Sequence, residues 1–339
     1  MDNRAIRQSA DPANALIEWR KGAIARLSIN RQSPIAIRHW TRAALLLVAL
    51  SMALSAAAQT VRSRDEWVAL AKGGVALPPD RHAVDVLMEM NDLLFSTDPV
   101  LRDEVAYSAA ERWILRDKTV AAGELRQLLE RWSRNLENGL GEAGTDRVFG
   151  RSFSALCLSL IAAADLQSPF LAPAEVRSFF DRMLDYFARE RDLRGFDATR
   201  GWMHSVAHTS DALKFLVRNP KLAPGADARL LAAVRAKIEA SDAVFTWGES
   251  DRMALALHSA VRRNDAEAAA LEAWVSYWVE EHRAMWSKGP QVDPRVFVQV
   301  ENAKQVMRSL HAALSMDATP TPGGAAAAKT LVVALAKMR

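Results

Sequence analysis

From Gln59 onward, apolar residues recur at three- and four-residue spacing along nearly the whole chain, and no stretch alternates like a half-buried strand. Ser63 with Glu66 forms a capping box ahead of Trp67, Val68 and Leu70, and Gly73-Gly74 stops that helix. Asp98-Pro99 sets a cap and a first-turn proline before a run ending near Arg116. Leu125, Leu128, Leu129 and Trp132 keep the same period, as do the stretches 149–161, 176–187 and 206–217. Further helices are predicted over 226–240, 249–263, 266–287 and 294–315, punctuated by Asn219-Pro220 and Gly289-Pro290. About eleven helices joined by short turns must pack as antiparallel hairpins. The fold expected is all-α, either an irregular, HEAT-like α-solenoid of antiparallel hairpins or a closed α/α toroid; the uneven helix spacing excludes a regular array. Residues 59–317 read as one helical domain. ATPTPGGAAAA from Ala318 to Ala328 reads as a Pro/Gly/Ala linker, so that 318–339 becomes a linker with a short terminal helix.

A second constraint lies upstream. Ala43 to Leu54 is a twelve-residue apolar run preceded by Arg38 and Arg42 and followed by Ser55-Ala56-Ala57-Ala58. It is too short for the about 20 residues of a membrane span, and its small-residue ending is what a signal peptidase cuts. Residues 38–58 are therefore expected to be a signal peptide cleaved after Ala58, which sends the protein to the periplasm or outside the cell. Residues 1–37 read as a non-structural extension, from a start codon set too early or a long n-region. The chain as a whole carries +4, but residues 1–58 hold eight of the 44 basic and three of the 40 acidic side chains, leaving 36 against 37. A body of charge −1, with no basic stripe interleaved with aromatics, argues against a nucleic-acid partner. One cysteine excludes a disulfide framework and a Cys-rich zinc module, and Cys157 in FSALCLSL reads as a buried thiol.

The chemistry concentrates in Asp192 to Asp211, DLRGFDATRGWMHSVAHTSD. Gly195 and Gly201 bracket a polar loop expected to open a helix at Trp202. His204 and His208, four residues apart, then share a helix face with Cβ atoms about 5–6 Å apart. Two imidazoles so placed are candidate ligands for a divalent metal; alternatively they are satisfied polar groups pinning a helix junction. Asp211 lies about 10.5 Å along the axis from His204, too far to share that metal, but close enough to His208 to orient its ring. Ser205 stands where a zincin has its general-base Glu. A second cluster, Trp247 to Arg252, opens another helix, and Glu249, Asp251 and Arg252 join Arg194 as candidates if the two clusters face one another. Gly139, Gly141 and Gly144 spell G-x-G-x-x-G after a helix and not a strand, which fails the dinucleotide context. Trp274, Trp278 and Trp286 are expected to pack between helices, with a sugar-stacking platform as the alternative. His82, His258, His282 and His311 lack sequence-local partners and read as surface or packing residues.

These residues resemble a bacterial family known as domain of unknown function 2785. The likeness rests on Arg151-Ser152-Phe153-Ser154-Ala155-Leu156, Asp192-Leu193-Arg194-Gly195-Phe196, Gly201-Trp202-x-His204-Ser205-x-Ala207-His208 with Asp211, and Gly248-Glu249-x-Asp251-Arg252, and spans roughly 80–317. The resemblance implies a helical fold and one shared site, and brings no activity, substrate or cofactor. Two readings stand. One is an exported helical-repeat protein that binds a protein partner or a small-molecule or glycan ligand in a groove around His204 and His208. The other is an enzyme: a metal-assisted hydrolase, or a glycan-active α/α toroid drawing a carboxylate pair from Asp192, Asp197, Glu249 and Asp251.

Overall fold

The computed structural model describes residues 62–339, apart from positions 288 and 290. The expected signal peptide at 38–58, its cleavage point and the 1–37 extension lie outside the described residues.

Helix α1 (Arg64–Lys72) opens on the expected capping box: Ser63 Oγ accepts from Glu66 N, and Ser63 N donates to the Glu66 carboxylate at 2.6 Å. α2 (Ala83–Glu89) runs on as a 3₁₀ turn at Met90–Phe95. Asp98 Oδ1 then accepts from Val100 N at 3.0 Å and starts the next run. That run ends at Arg116 as expected but is wound as π-helix over Val100–Tyr107 and Arg112–Arg116, with only α3 (Ser108–Glu111) between them. The wider turn re-aims side chains that a regular α-helix would place elsewhere. There follow α4 (Ala122–Asn135), α5 (Arg147–Gln167), α6 (Pro173–Arg189), a hairpin of β1 (Phe196–Asp197) and β2 (Gly201–Trp202), and α7 (Ser205–Val217). α8 (Ala226–Glu239), α9 (Glu249–Val261), α10 (Ala268–Ser287), α11 (Pro294–Ser315) and α12 (Pro322–Lys337) complete the order. Apart from the hairpin, the described residues are all-α.

Two expectations are corrected. The segment before α7 is not a plain polar loop that becomes helix at Trp202. It is an antiparallel pair with Phe196 opposite Trp202 and Asp197 opposite Gly201, and the helix begins three residues later. Asp197 Oδ1 closes the turn by accepting from Thr199 N and Arg200 N. At the other end, the Pro/Gly/Ala run is helical from Pro322, not a linker. Thr321 Oγ1 caps Gly324 N at 3.1 Å, Pro322 occupies the first turn, and Leu331, Ala334 and Met338 are buried.

The helices form two rows. α5, α7, α9 and α11 each pack on the next of that set, while α6, α8, α10 and α12 do the same outside them. Neighbours in the inner row run parallel. Near their starts, Ser152 of α5 meets His208 of α7, and Asp211 of α7 meets Arg252 of α9. At their ends, Asp165 of α5 meets Asn219, and Arg263 donates to Val217 O. α5 is long and apolar enough to cross a bilayer, yet 94 % of its apolar window is buried among the other helices, which is how a central core helix reads. Cys157, in its middle, is fully buried, and burial pushes its thiol pKa up.

Candidate functional site

Parallel packing brings the starts of α5, α7 and α9 together, and their aligned peptide dipoles make this end of the inner row positive. The residues of both sequence clusters gather here. His204 does not lie on the helix as its spacing suggested. It is the cap before Ser205, with φ 48° and ψ 34° in the left-handed region that a non-glycine residue rarely adopts. The conformation follows from the hairpin. Met203 N and His204 N donate to Gly195 O and Arg194 O, holding the chain extended until it must turn at His204 to enter α7. The turn throws the ring toward α9, where Nε2 donates to Trp247 O at 2.8 Å. A carbonyl only accepts, so Nε2 carries the proton and Nδ1 keeps its lone pair.

His208 lies inside α7, its Nδ1 sharing a hydrogen with Ser152 Oγ at 2.8 Å and its ring edge-on to Phe153. The two imidazole centroids are 5.5 Å apart. Burial lowers both pKa values. For His208 the neighbouring His204 and Arg252 add to the effect, whereas for His204 the Glu249 charge opposes it. Both rings are therefore neutral near pH 7. Glu249, 2 % exposed, accepts from Trp247 N through Oε2 at 2.9 Å. Its Oε1 sits 3.9 Å from His204 Nε2 and takes no hydrogen bond from any described residue.

The remaining candidates divide. Asp211 does not orient His208: Arg252 and Lys214 take its two oxygens at 2.5 and 3.2 Å, because the side chain leaves α7 on the side facing α9. Arg252 thus reaches the site through Asp211. Asp251 points away and accepts from Ser309 Oγ on α11. Arg194 clamps Asp192 and donates to Thr145 O, and Asp192 also accepts from Gly144 N, so both secure the loop before α5. With Asp192, Asp197 and Asp251 committed elsewhere, no carboxylate pair assembles around Glu249. Nor do the residues fit a metal. Among the described residues no group of three or more His, Cys, Asp or Glu side chains could hold one.

Three aromatic rings cover this polar floor. Phe196, Trp202 and Trp247 have centroids 4.8, 5.3 and 6.2 Å apart and remain 38 %, 37 % and 47 % exposed. Trp202 stacks on His204 at 4.8 Å. Gly195 is required beneath them, since a Cβ there would lie 2.3 Å from Trp247 Cδ1 and 2.7 Å from Glu249 Oε1. Sequence spacing did not single out Phe196 or Trp247 as one surface, because they lie on separate elements. It also missed Arg102. That fully buried guanidinium, over the faces of Phe149 and Phe153, donates to Ser96 O and Arg200 O and so ties the hairpin tip to the π-helical run. Of the three tryptophans expected to pack between helices, Trp274 and Trp278 are buried there, whereas Trp286 is half exposed.

A model of the family described as protein of unknown function, DUF2785, matches residues 136–312. The chain belongs to the DUF2785 family. No curated protein and no solved structure matches it. Within the DUF2785 match, the motif residues acquire physical roles. Arg151 binds Glu190, Ser152 and Phe153 hold His208, and Ser154 accepts from Asn135. Ser205 Oγ donates to Asp192 O, and Gly201 and Gly248 take positive φ values that turn the chain into and out of the site.

Proposed function

We propose that this DUF2785 protein is an exported ligand-binding protein. Its site is the aromatic surface of Phe196, Trp202 and Trp247 above His204, His208 and Glu249. One observation carries the reading: three large rings stay well exposed beside the Glu249 carboxylate, whose Oε1 takes no hydrogen bond from a described residue. A ligand hydroxyl or amide N–H can donate to that oxygen. The two-row packing supports an α-solenoid built from hairpins, with the site at the end where inner helices begin. Export rests on the apolar run and the Ala-rich ending at 43–58. The enzyme alternative retains only Glu249 and His204 as neighbouring groups.

Two experiments test this. Mass spectrometry of the exported protein is expected to find Gln59 at the N-terminus; an N-terminus well upstream overturns the cleavage site. Screening a fragment library of neutral, cationic and aromatic compounds by NMR should shift the indole N–H signals of Trp202 and Trp247 first. A library that leaves both signals unmoved removes the binding-site reading.

A further inference from the structure

Away from the aromatic surface, a small cavity in the outer row holds a buried charge that the fold leaves half used. It lies between the first turns of α8 and α10 and the first half of α12. Its volume is about 50 Å³, several times the about 10–15 Å³ that one water needs. Asp227, in the first turn of α8, lines the cavity and is 2 % exposed. Its Oδ2 accepts from Glu267 N at 2.7 Å and so caps the approach to α10. Its Oδ1 is buried without a hydrogen bond to any described residue. Capping accounts for the first oxygen and leaves the second without a role. We infer that the cavity binds a primary alkylammonium group, whose N–H donates to Asp227 Oδ1 while its carbon chain lies against Leu231, Leu271 and Ala327.

The lining selects that chemistry. Asp227 is joined by Glu267 and Glu272, both exposed, and no basic side chain lines the cavity. Together the three helix starts offset about 1.5 charges, which leaves three carboxylates in excess. An anion is therefore repelled. A neutral hydroxyl could donate to Oδ1, yet it would leave the buried charge uncompensated, and buried charges are found paired. A metal ion needs several oxygen ligands around it. Among the described residues no group of three or more His, Cys, Asp or Glu side chains could hold one. Leu231, Leu271 and Ala327, each at most 4 % exposed, form an apolar wall that an alkyl chain covers and a bare inorganic ion does not. A quaternary ammonium is excluded as well, because it has no N–H to give Oδ1.

The test is calorimetric titration of the full chain with n-butylammonium, with 1-butanol, butyrate and tetramethylammonium as controls at constant ionic strength. The expected result is saturable binding of n-butylammonium with Kd at or below about 1 mM, a value within reach of so small a ligand. All three controls should bind at least about tenfold more weakly. Asp227→Asn keeps an acceptor for Glu267 N but removes the charge, and should also weaken binding at least about tenfold. Glu267→Gln/Glu272→Gln, at exposed positions, should weaken it about threefold. Equal affinity for 1-butanol or butyrate would overturn the ammonium assignment, and equal affinity for tetramethylammonium would overturn the hydrogen bond to Oδ1. No saturation with n-butylammonium by about 10 mM would overturn the site altogether and leave water as the partner of Oδ1. Unchanged affinity in Asp227→Asn refutes the placement; if that variant fails to fold, unchanged affinity in the double glutamine variant does.

Discussion

Arg151 offers the sharpest test of how the site is supported. Its side chain is fully buried, and all five of its N–H donors are used. Nε and Nη2 hold the Glu190 carboxylate at 2.5 and 3.0 Å, Nη1 donates to Asn138 O and Gly139 O, and Nη2 also reaches Glu142 O at 3.3 Å. Glu190 is equally satisfied, accepting in addition from Tyr186 Oη and Asp192 N. The pair thus pins the loop before α5 to the strand of chain that leads into Asp192–Gly195. Removing one partner of such a pair leaves an uncompensated buried charge, which costs about 3–5 kcal/mol. Glu190→Gln is expected near 4 kcal/mol, or roughly 12 °C in Tm at the about 2–4 °C per kcal/mol of a domain this size. Arg151→Met should cost about 5 kcal/mol, because three carbonyls lose their donor as well. Urea titration at pH 7 measures both, with the slope against denaturant expected to match wild type. The double variant Arg151→Met/Glu190→Leu removes both charges and should fall between wild type and either single variant. Losses below about 1 kcal/mol in the single variants, or strict additivity in the double, would refute the argument that this pair is coupled and desolvated.

Three further outcomes are expected. Gly195→Ala forces a methyl into Trp247 and Glu249, which should cost about 1–3 kcal/mol and displace the Trp247 ring, read as a shifted fluorescence maximum; an unshifted spectrum with full stability would show that the contact is loose. Truncation after Asp317 uncovers the surfaces that bury Leu331 and Met338 and should cost at least about 3 kcal/mol in thermal or urea unfolding. A true linker would be removed without loss. Finally, His204 and His208 are protonated less readily in the folded chain than in the unfolded one, so their contribution is complete above about pH 6.5 and is lost as pH falls below it. Asp103, whose burial raises its pKa to about 6, acts in the opposite direction between about pH 4 and 6 and does so in every variant. The urea midpoint of His204→Gln/His208→Gln should therefore fall less between about pH 7 and pH 5 than that of wild type. An equal fall would show that the rings charge freely in the fold.

Most of the helices were legible because their causes are local. Three- and four-residue apolar spacing, the Ser63 capping box and the Asp98 cap each act within a turn or two, and α6 through α11 start and stop within a few residues of where that spacing puts them. α12 was legible too, through Thr321-Pro322 and the alanines after it, but the linker-like Pro-Gly-Gly composition outweighed that signal. The π-helical winding around Arg102 carried no such mark, since it answers to packing and not to its own sequence. The closeness of His204 and His208 was right for the wrong reason. Helical spacing predicted it, yet His204 is brought there by a left-handed turn at the end of a two-residue strand.

What the sequence determined alone was the helical class, the neutral charge of the body and the two polar clusters that matter. Only the tertiary structure decided what they do together, because the decisive pairs are far apart in the chain: His204 with Trp247, Asp211 with Arg252, Ser152 with His208. Packing the inner helix starts side by side buries His204 and His208, and that desolvation, with the nearby Arg252 charge, keeps both rings neutral beside three exposed aromatic rings. Local spacing carries no information about which helix starts will meet, so the site became visible only once the rows were packed.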